Sequence, residues 1–295
     1  MKQLMFEGSA PALITPMKNG SIDYDALGRL IDMQAENGSS AIVIAGTTGE
    51  SAVLSYEEHE ELVHFAVRYA DGRIPILAGA GSNSTDHALR LMKQAENGGA
   101  DGLLLVTPYY NKTSQSGLLA HYAYLADRST LPILLYHVPS RTGLTMSPET
   151  VAELSRHPQI VGIKEAGSDL DAIAKEMLLC EPDFAFYSGN DSLTLPLMAM
   201  GAKGVISVAA NLIPRPMSEL CRLALLEEYT AARRLHFAYL TLMQVLFCEV
   251  NPIPVKTAMS LCGLCDAELR LPLVPPAAGN LARIKAVLAD YGLLR

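Results

Sequence analysis

Several things are scarce in this 295-residue chain, and each scarcity removes a class of protein. No apolar run approaches the ~18 residues of a membrane span, and the opening residues, Met1 to Glu7, lack the apolar stretch of a signal peptide. Cationic residues are short. There are 23 Lys plus Arg against 31 Asp plus Glu, a formal net charge of -8, and no dense basic cluster, which argues against nucleic acid as the main partner. The five cysteines (Cys180, Cys221, Cys248, Cys262 and Cys265) are an odd set scattered over the second half, which suits a reducing cytoplasm better than a disulfide framework. Cys262 and Cys265 have C-x-x-C spacing, but no second pair completes four ligands, so the pair reads as structural. No Gly-x-Gly-x-x-Gly follows the first apolar run, and no glycine-rich phosphate cup follows the last two. An open dinucleotide-binding sheet and a pyridoxal phosphate enzyme are therefore disfavoured.

What is present is a repeat of short β-rich runs and longer helical patterns. The runs are Ala10 to Pro16, Ala41 to Ala45, Pro75 to Gly79, Gly102 to Val106, Pro132 to Tyr136, Ile160 to Lys164, Phe184 to Ser188 and Gly204 to Val208. Helix signals fill the gaps: Ser55 with Glu58 three residues on makes a capping box, and Ser147-Pro148-Glu149 reads as N-cap, N1 proline and acidic first turn. Near-continuous apolar strands alternating with helices imply a parallel sheet covered on both faces, and eight units favour a closed (β/α)8 TIM barrel. After about residue 217 the pattern is helical only, punctuated by Asn251-Pro252-Ile253-Pro254 and by prolines 272, 275 and 276. The expected organisation is a catalytic barrel over residues 1–224 and a C-terminal helical extension over residues 225–295.

One stretch organises the chemistry: Ile160-Val161-Gly162-Ile163-Lys164-Glu165-Ala166 is an apolar run that ends on a lysine. At the carboxyl end of a buried strand an ammonium is hard to hydrate, and desolvation favours the free amine, a nucleophile towards carbonyls. Gly162 falls on the same strand face and is expected to leave room beside the lysine stem. The alternative is a lysine that ends a strand and snorkels to water. In a barrel of this kind chemistry belongs on the loops that leave the strands at their carboxyl ends. Those ends carry Thr47 and Thr48 between glycines, which can present hydroxyls to a carboxylate or relay protons, or simply fill a turn. They also carry the paired Tyr109 and Tyr110, as fit for an interface as for catalysis. Tyr136 projects into the barrel top beside the lysine strand, Arg141 is suited to bidentate carboxylate binding or to the surface, Gly189 allows close backbone approach, and Ile206 reads as barrel core.

The motifs Gly46-Thr47-Thr48-Gly49-Glu50-Ser51, Tyr109-Tyr110-Asn111, Tyr136 with Val138-Pro139-Ser140-Arg141-Thr142-Gly143, and Gly162-Ile163-Lys164-Glu165-Ala166 resemble those of the dihydrodipicolinate synthase family, part of the N-acetylneuraminate lyase group of class I aldolase barrels. The resemblance spans nearly the whole chain. It implies that Lys164 forms a Schiff base with pyruvate and that Tyr136 is the general acid/base. It further implies that Thr47 links Tyr136 to Tyr110, which enters the neighbouring subunit's site, and that Thr48, Gly189 and Ile206 line the pyruvate pocket. Arg141 would meet the carboxylate of L-aspartate 4-semialdehyde. Neither metal nor organic cofactor is implied. His137 stands where many relatives have asparagine and bears on the polarity beside Tyr136.

The nearest alternative is a sister aldolase acting on a sialic or 2-keto-3-deoxy sugar acid; a fixed cation at Arg141 suits a short anionic aldehyde better than a polyol. A binding or structural barrel that has lost its chemistry would not be expected to retain Lys164, Tyr136 and Thr47 together. By the resemblance the chain is expected to be a cytoplasmic homotetramer, a dimer of dimers, with neither nucleic acid nor membrane as partner. Feedback by lysine, which in relatives uses positions matching Ser51, Ala52, His59, Asn83 and Tyr109, is expected to be weak. His87 replaces the glutamate that would hold the ligand's ammonium, Tyr56 replaces a histidine, and Asp86 points about 100° away on the helix.

Overall fold

The structure, a computed structural model, describes residues 2–294. Eight parallel strands follow one another around a barrel: β1 (Gly8–Pro11), β2 (Ile42–Ile44), β3 (Ile76–Gly79), β4 (Gly102–Val106), β5 (Ile133–His137), β6 (Ile160–Glu165), β7 (Ala185–Ser188) and β8 (Gly204–Ser207). Each of β2 to β8 pairs with its chain neighbour, and β1 pairs with β8 through Gly8↔Gly204 to Pro11↔Ser207. Closure comes just after β1, where Ala12 bridges Val43 and the Leu13 N–H donates to the Val43 carbonyl at 2.9 Å. At the β1/β8 seam a Cβ on Gly204 would lie 1.8 Å from the Gly8 carbonyl oxygen, so only glycine fits.

The period-two alternation of each strand divides the core in two. Ala10, Val43, Leu77, Leu104, Leu134, Tyr136, Tyr187 and Ile206 point inward and fill the barrel. Ile42, Ile44, Leu103, Leu105, Ile133, Leu135, Ile163, Phe186 and Val205 point outward and pack under the helices. Those helices are α1 (Tyr24–Glu36), α2 (Tyr56–Ala70), α3 (Thr85–Asn97), α4 (Gln115–Ala126), α5 (Pro148–Ser155), α6 (Leu170–Leu179), α7 (Thr194–Ala199) and α8 (Pro214–Leu225). The cap signals operate as written: Ser55 accepts from the Glu58 N–H while Glu58 accepts from the Ser55 N–H, and Ser147 accepts from Thr150 N–H ahead of Pro148.

Three more helices, α9 (Tyr229–Val245), α10 (Ile253–Leu261) and α11 (Ala278–Asp290), form the C-terminal extension, and their apolar faces join the same outer core as the barrel helices. Cys262 is buried there, and burial pushes the Cys265 thiol up to about 12.

Two local expectations change. The first strand ends at Pro11 rather than running to Pro16, and an antiparallel hairpin follows, Met17–Lys18 against Ser21–Ile22. Its turn is Asn19-Gly20 with φ of 53° and 80°, both left-handed, which these two residue types accept most readily. Gly162 does not serve to make room for the lysine stem. A Cβ there would meet the Ala185 carbonyl oxygen at 2.4 Å and the Leu134 side chain at 3.0 Å, so the missing side chain lets β6 and β7 approach.

Candidate active site

Lys164 is the penultimate residue of β6, in register with Tyr136 of β5 and Tyr187 of β7, and all three face the barrel interior. Its side chain is 5% exposed, and Nζ lies over the Tyr136 ring, 4.3 Å from the centroid. The described residues contain two buried lysines. Lys256 of α10 is paired with Glu50, whereas Lys164 has no carboxylate within ion-pair distance among the described residues.

The Lys164 charge acts on Asp191, just beyond β7, a residue the sequence reading passed over. It is fully buried, and burial pushes its carboxyl up. Against that act hydrogen bonds from the Ser207 hydroxyl (2.5 Å) and the Ala209 and Val208 N–H groups (2.9 and 3.1 Å), together with the Lys164 charge.

Above this floor opens a cavity of about 670 Å³, lined among others by Thr47, Tyr109, Tyr136, Val138, Arg141 and Asn251. Lys164, Thr48, Gly189 and Ile206 lie outside that lining, Lys164 being separated from it by the Tyr136 ring that its Nζ meets. Thr48 is buried against Asn251, whose Nδ2 donates to its Oγ1 at 2.9 Å. Gly189 follows β7, its N–H donating to the Glu165 carbonyl at 2.7 Å, and a Cβ there would collide with Ala166 at 2.6 Å. Ile206 sits in the inner core with Tyr136 and Tyr187.

Arg141, on a four-residue helical turn (Pro139–Thr142), is held by a hydrogen bond from Nη2 to the Asn251 carbonyl at 3.0 Å. Tyr109 borders the cavity while Tyr110, with φ of 69°, is 91% exposed and outside the site of its own chain.

The loop bearing Thr47 and Thr48 is fixed from behind. Glu50, with φ of 56°, is buried between Lys256 Nζ (2.5 Å) and the Arg270 N–H (3.0 Å), and Arg270 reaches on to Glu58 (2.6 Å). Asn251, Lys256 and Arg270 all come from the extension, Lys256 from α10 and the other two from the segments beside it, so the extension also holds the active-site loop.

His137 does not set the polarity beside Tyr136, because alternation turns it to the opposite strand face. There the Met146 N–H donates to its Nε2 (3.1 Å), which places the ring proton on Nδ1, donating to Glu165 Oε2 (2.7 Å). Glu176 completes this buried cluster. Burial and the Glu165 charge push its carboxyl up to about 8, so it holds a proton at neutral pH. His137, Glu165 and Glu176 are the one group of three among the described residues whose donor atoms lie within 4.8 Å of one another. With Nε2 accepting and Nδ1 protonated, the imidazole has no lone pair for a cation, and the cluster reads as a His137–Glu165 hydrogen bond with Glu176 beside it.

A closed parallel barrel with a buried lysine over a tyrosine ring, at the end of the strands where such barrels work, defines a (β/α)8 lyase of the Schiff-base type. The sequence profile of the Dihydrodipicolinate synthetase family matches residues 5–290. Identity is 52% to the 4-hydroxy-tetrahydrodipicolinate synthase of Persephonella marina, over 99% of this chain and 100% of that one. The dihydrodipicolinate synthase structure from Aquifex aeolicus superposes with a TM-score of 0.96 at 47% identity, covering 98% of this chain and 99% of the other. The enzyme from Cyanidioschyzon merolae, solved with lysine bound, gives 0.95 at 40% identity, covering 99% and 100%. The chain belongs to the dihydrodipicolinate synthetase family.

Proposed function

We propose that the chain condenses pyruvate with L-aspartate 4-semialdehyde to give 4-hydroxy-tetrahydrodipicolinate, a step of lysine and diaminopimelate biosynthesis, with the carbon chemistry carried on Lys164. The observation that carries this reading is the buried Lys164, without an ion-pair partner among the described residues, 4.3 Å from the Tyr136 ring centre. The amine adds to the keto carbon of pyruvate, and water leaves to give the imine. Loss of a methyl proton yields the enamine, whose carbon bonds to the aldehyde carbon while that oxygen takes up a proton. The amine of the second substrate then attacks the imine carbon, closing the ring and releasing Lys164.

Tyr136 is the general acid/base, with Thr47 as the link to Tyr110 of a neighbouring subunit. Thr48, Gly189 and Ile206 form the pyruvate pocket, and Arg141 receives the carboxylate of the incoming aldehyde. The anchoring of Arg141 to Asn251 supports a fixed cation for a short anionic substrate, as does the activity for which the relatives are named. The sialic or sugar acid alternative has no such support.

The catalytic unit is residues 1–224, and residues 225–295 are the helical extension that braces it. The outward Tyr110 supports a homotetramer built from dimers that exchange this side chain. No helix among the described residues is long and apolar enough to cross a membrane, and we assign the chain to the cytoplasm.

Borohydride added with pyruvate tests the scheme: a stable adduct mapped to Lys164 is expected, together with turnover of L-aspartate 4-semialdehyde and none of sialic acid. Protein left unmodified by that treatment refutes the Schiff base.

A further inference from the structure

Asn251 was read in the sequence as part of a proline-rich break between helices, yet its three polar groups meet the active site. Its backbone carbonyl accepts from Arg141 Nη2 at 3.0 Å. Its side-chain Nδ2 donates to Thr48 Oγ1 at 2.9 Å, which occupies a lone pair of that hydroxyl and leaves the hydroxyl proton free to donate. Its Oδ1 has no hydrogen-bond partner among the described residues, although Asn251 is only 6% exposed and lines the cavity. Buried carbonyl groups are almost always paired, so this one is an acceptor waiting for a donor.

The carboxylates that line the same cavity are committed elsewhere. Glu50 is taken by Lys256 and the Arg270 N–H, and Glu57 stands at the exposed rim facing Arg90 at 3.8 Å.

We propose that Asn251 is a specificity residue for the second substrate, its Oδ1 accepting a hydrogen bond from the amino group of an α-amino acid aldehyde whose carboxylate rests on Arg141. This rests on the function proposed above. Amine and carboxylate share one carbon in such a substrate, so a carboxylate on Arg141 brings the amine near the residue that anchors the guanidinium. A hydrogen bond to Oδ1 then fixes which way the amine points before it closes the ring. An aldehyde without the amine would leave Oδ1 buried and unpaired, and a site built to bond a polar group discriminates strongly against the analogue that lacks it.

The test compares L-aspartate 4-semialdehyde with 4-oxobutanoate, the same aldehyde without the amine, by pyruvate consumption in the wild type, N251A and N251D. Borohydride trapping of pyruvate on Lys164 reports whether each variant retains a working barrel. For N251A, kcat/KM with the amino aldehyde is expected to fall about tenfold to a hundredfold more than that with 4-oxobutanoate, whose adduct leaves Lys164 by hydrolysis of the imine and which shares only the loss of the Thr48 contact. N251D, which keeps an acceptor but loses the donor to Thr48, is expected to retain the preference for the amine, and it decides the matter if N251A does not trap pyruvate. Equal losses for both aldehydes in N251A, or a preference lost in N251D, overturn the proposal and leave the condensation standing. A wild type that traps pyruvate but condenses it with neither aldehyde overturns the proposed function and this inference with it.

Discussion

Replacing Lys256 by methionine removes one half of an ion pair in which both side chains are 0% exposed and the nitrogen and oxygen are 2.5 Å apart. Methionine fills most of the space, so the cost is the Glu50 carboxylate left buried with the Arg270 N–H as its remaining donor. Breaking a buried pair from one side costs about 3–5 kcal/mol, a large part of the ~5–15 kcal/mol that holds a typical protein folded. With an unfolding entropy of about 2.1 cal/mol/K per residue, 295 residues give about 0.6 kcal/mol/K, so the melting temperature is expected to fall by about 5–8 °C. E50Q, which strands the ammonium instead, is expected to lose a similar amount. The double variant E50Q/K256M, with no stranded charge, is expected to regain most of it. Thermal melts followed by circular dichroism on all four proteins close the double-mutant cycle. Single variants that melt with the parent, or a double variant that loses the sum of both singles, would refute the pairing as drawn.

Glu176 predicts a pH dependence. Its folded pKa of about 8 lies above the ordinary carboxylate value, so the unfolded chain releases the proton first and stability is lost as pH rises from about 4.5 to about 8. E176Q is expected to flatten that slope, melting with the parent near pH 4 and a few degrees above it near pH 8; parallel curves for the two proteins would refute it. Y110F is expected to lose about a hundredfold in kcat, and mixed oligomers of Y110F with K164A are expected to recover activity, since each lacks what the other supplies across the interface. Mixtures as inactive as their parts would place Tyr110 outside the relay. Inhibition by lysine is expected only above about 1 mM, because Arg90 lies 3.8 Å over the Tyr56 ring and His87 edges onto the same ring at 5.9 Å, setting cationic and neutral groups where an ammonium needs an anion. Initial rates that drop by half at micromolar lysine would show that another anion does the work.

The fold was legible because β2 to β6 carry no polar residue until their ends, a pattern that a doubly covered parallel sheet requires. The positions of Lys164 and Tyr136 followed from it, since strand register in a barrel puts neighbouring strand ends side by side. What did not follow was any contact that joins distant parts of the chain. Asn251 and Thr48 are 203 residues apart, and Lys256 and Glu50 are 206 apart. Nothing in the local pattern of either segment marks the other, so Asn251-Pro252 read as punctuation and Lys256 as an ordinary helix residue. The Asn19-Gly20 turn was a different kind of miss. Its residue types announce a tight hairpin, but strands of two residues leave no periodicity to notice. For His137 the alternation was already in hand. Applying it to the residue next to Tyr136 turns the imidazole away from the reacting groups and towards Glu165.

These long-range contacts give the extension a role that its composition conceals. The barrel alone supplies Lys164 and Tyr136, whose geometry is set by paired strands and cannot drift far. Thr47, Thr48 and Arg141 lie on loops that leave the strands, and such segments are mobile unless something holds them. Here Lys256 and Arg270 hold Glu50 at the end of one loop, and Asn251 touches both Thr48 on that loop and Arg141 on another. On the roles proposed above, Lys164 and Tyr136 are set by the strands, whereas Thr48 in the keto-acid pocket and Arg141 for the second substrate both lean on the last quarter of the chain. Loosening the extension should accordingly raise KM for both substrates while borohydride still traps pyruvate on Lys164, a separation that a damaged barrel would not show.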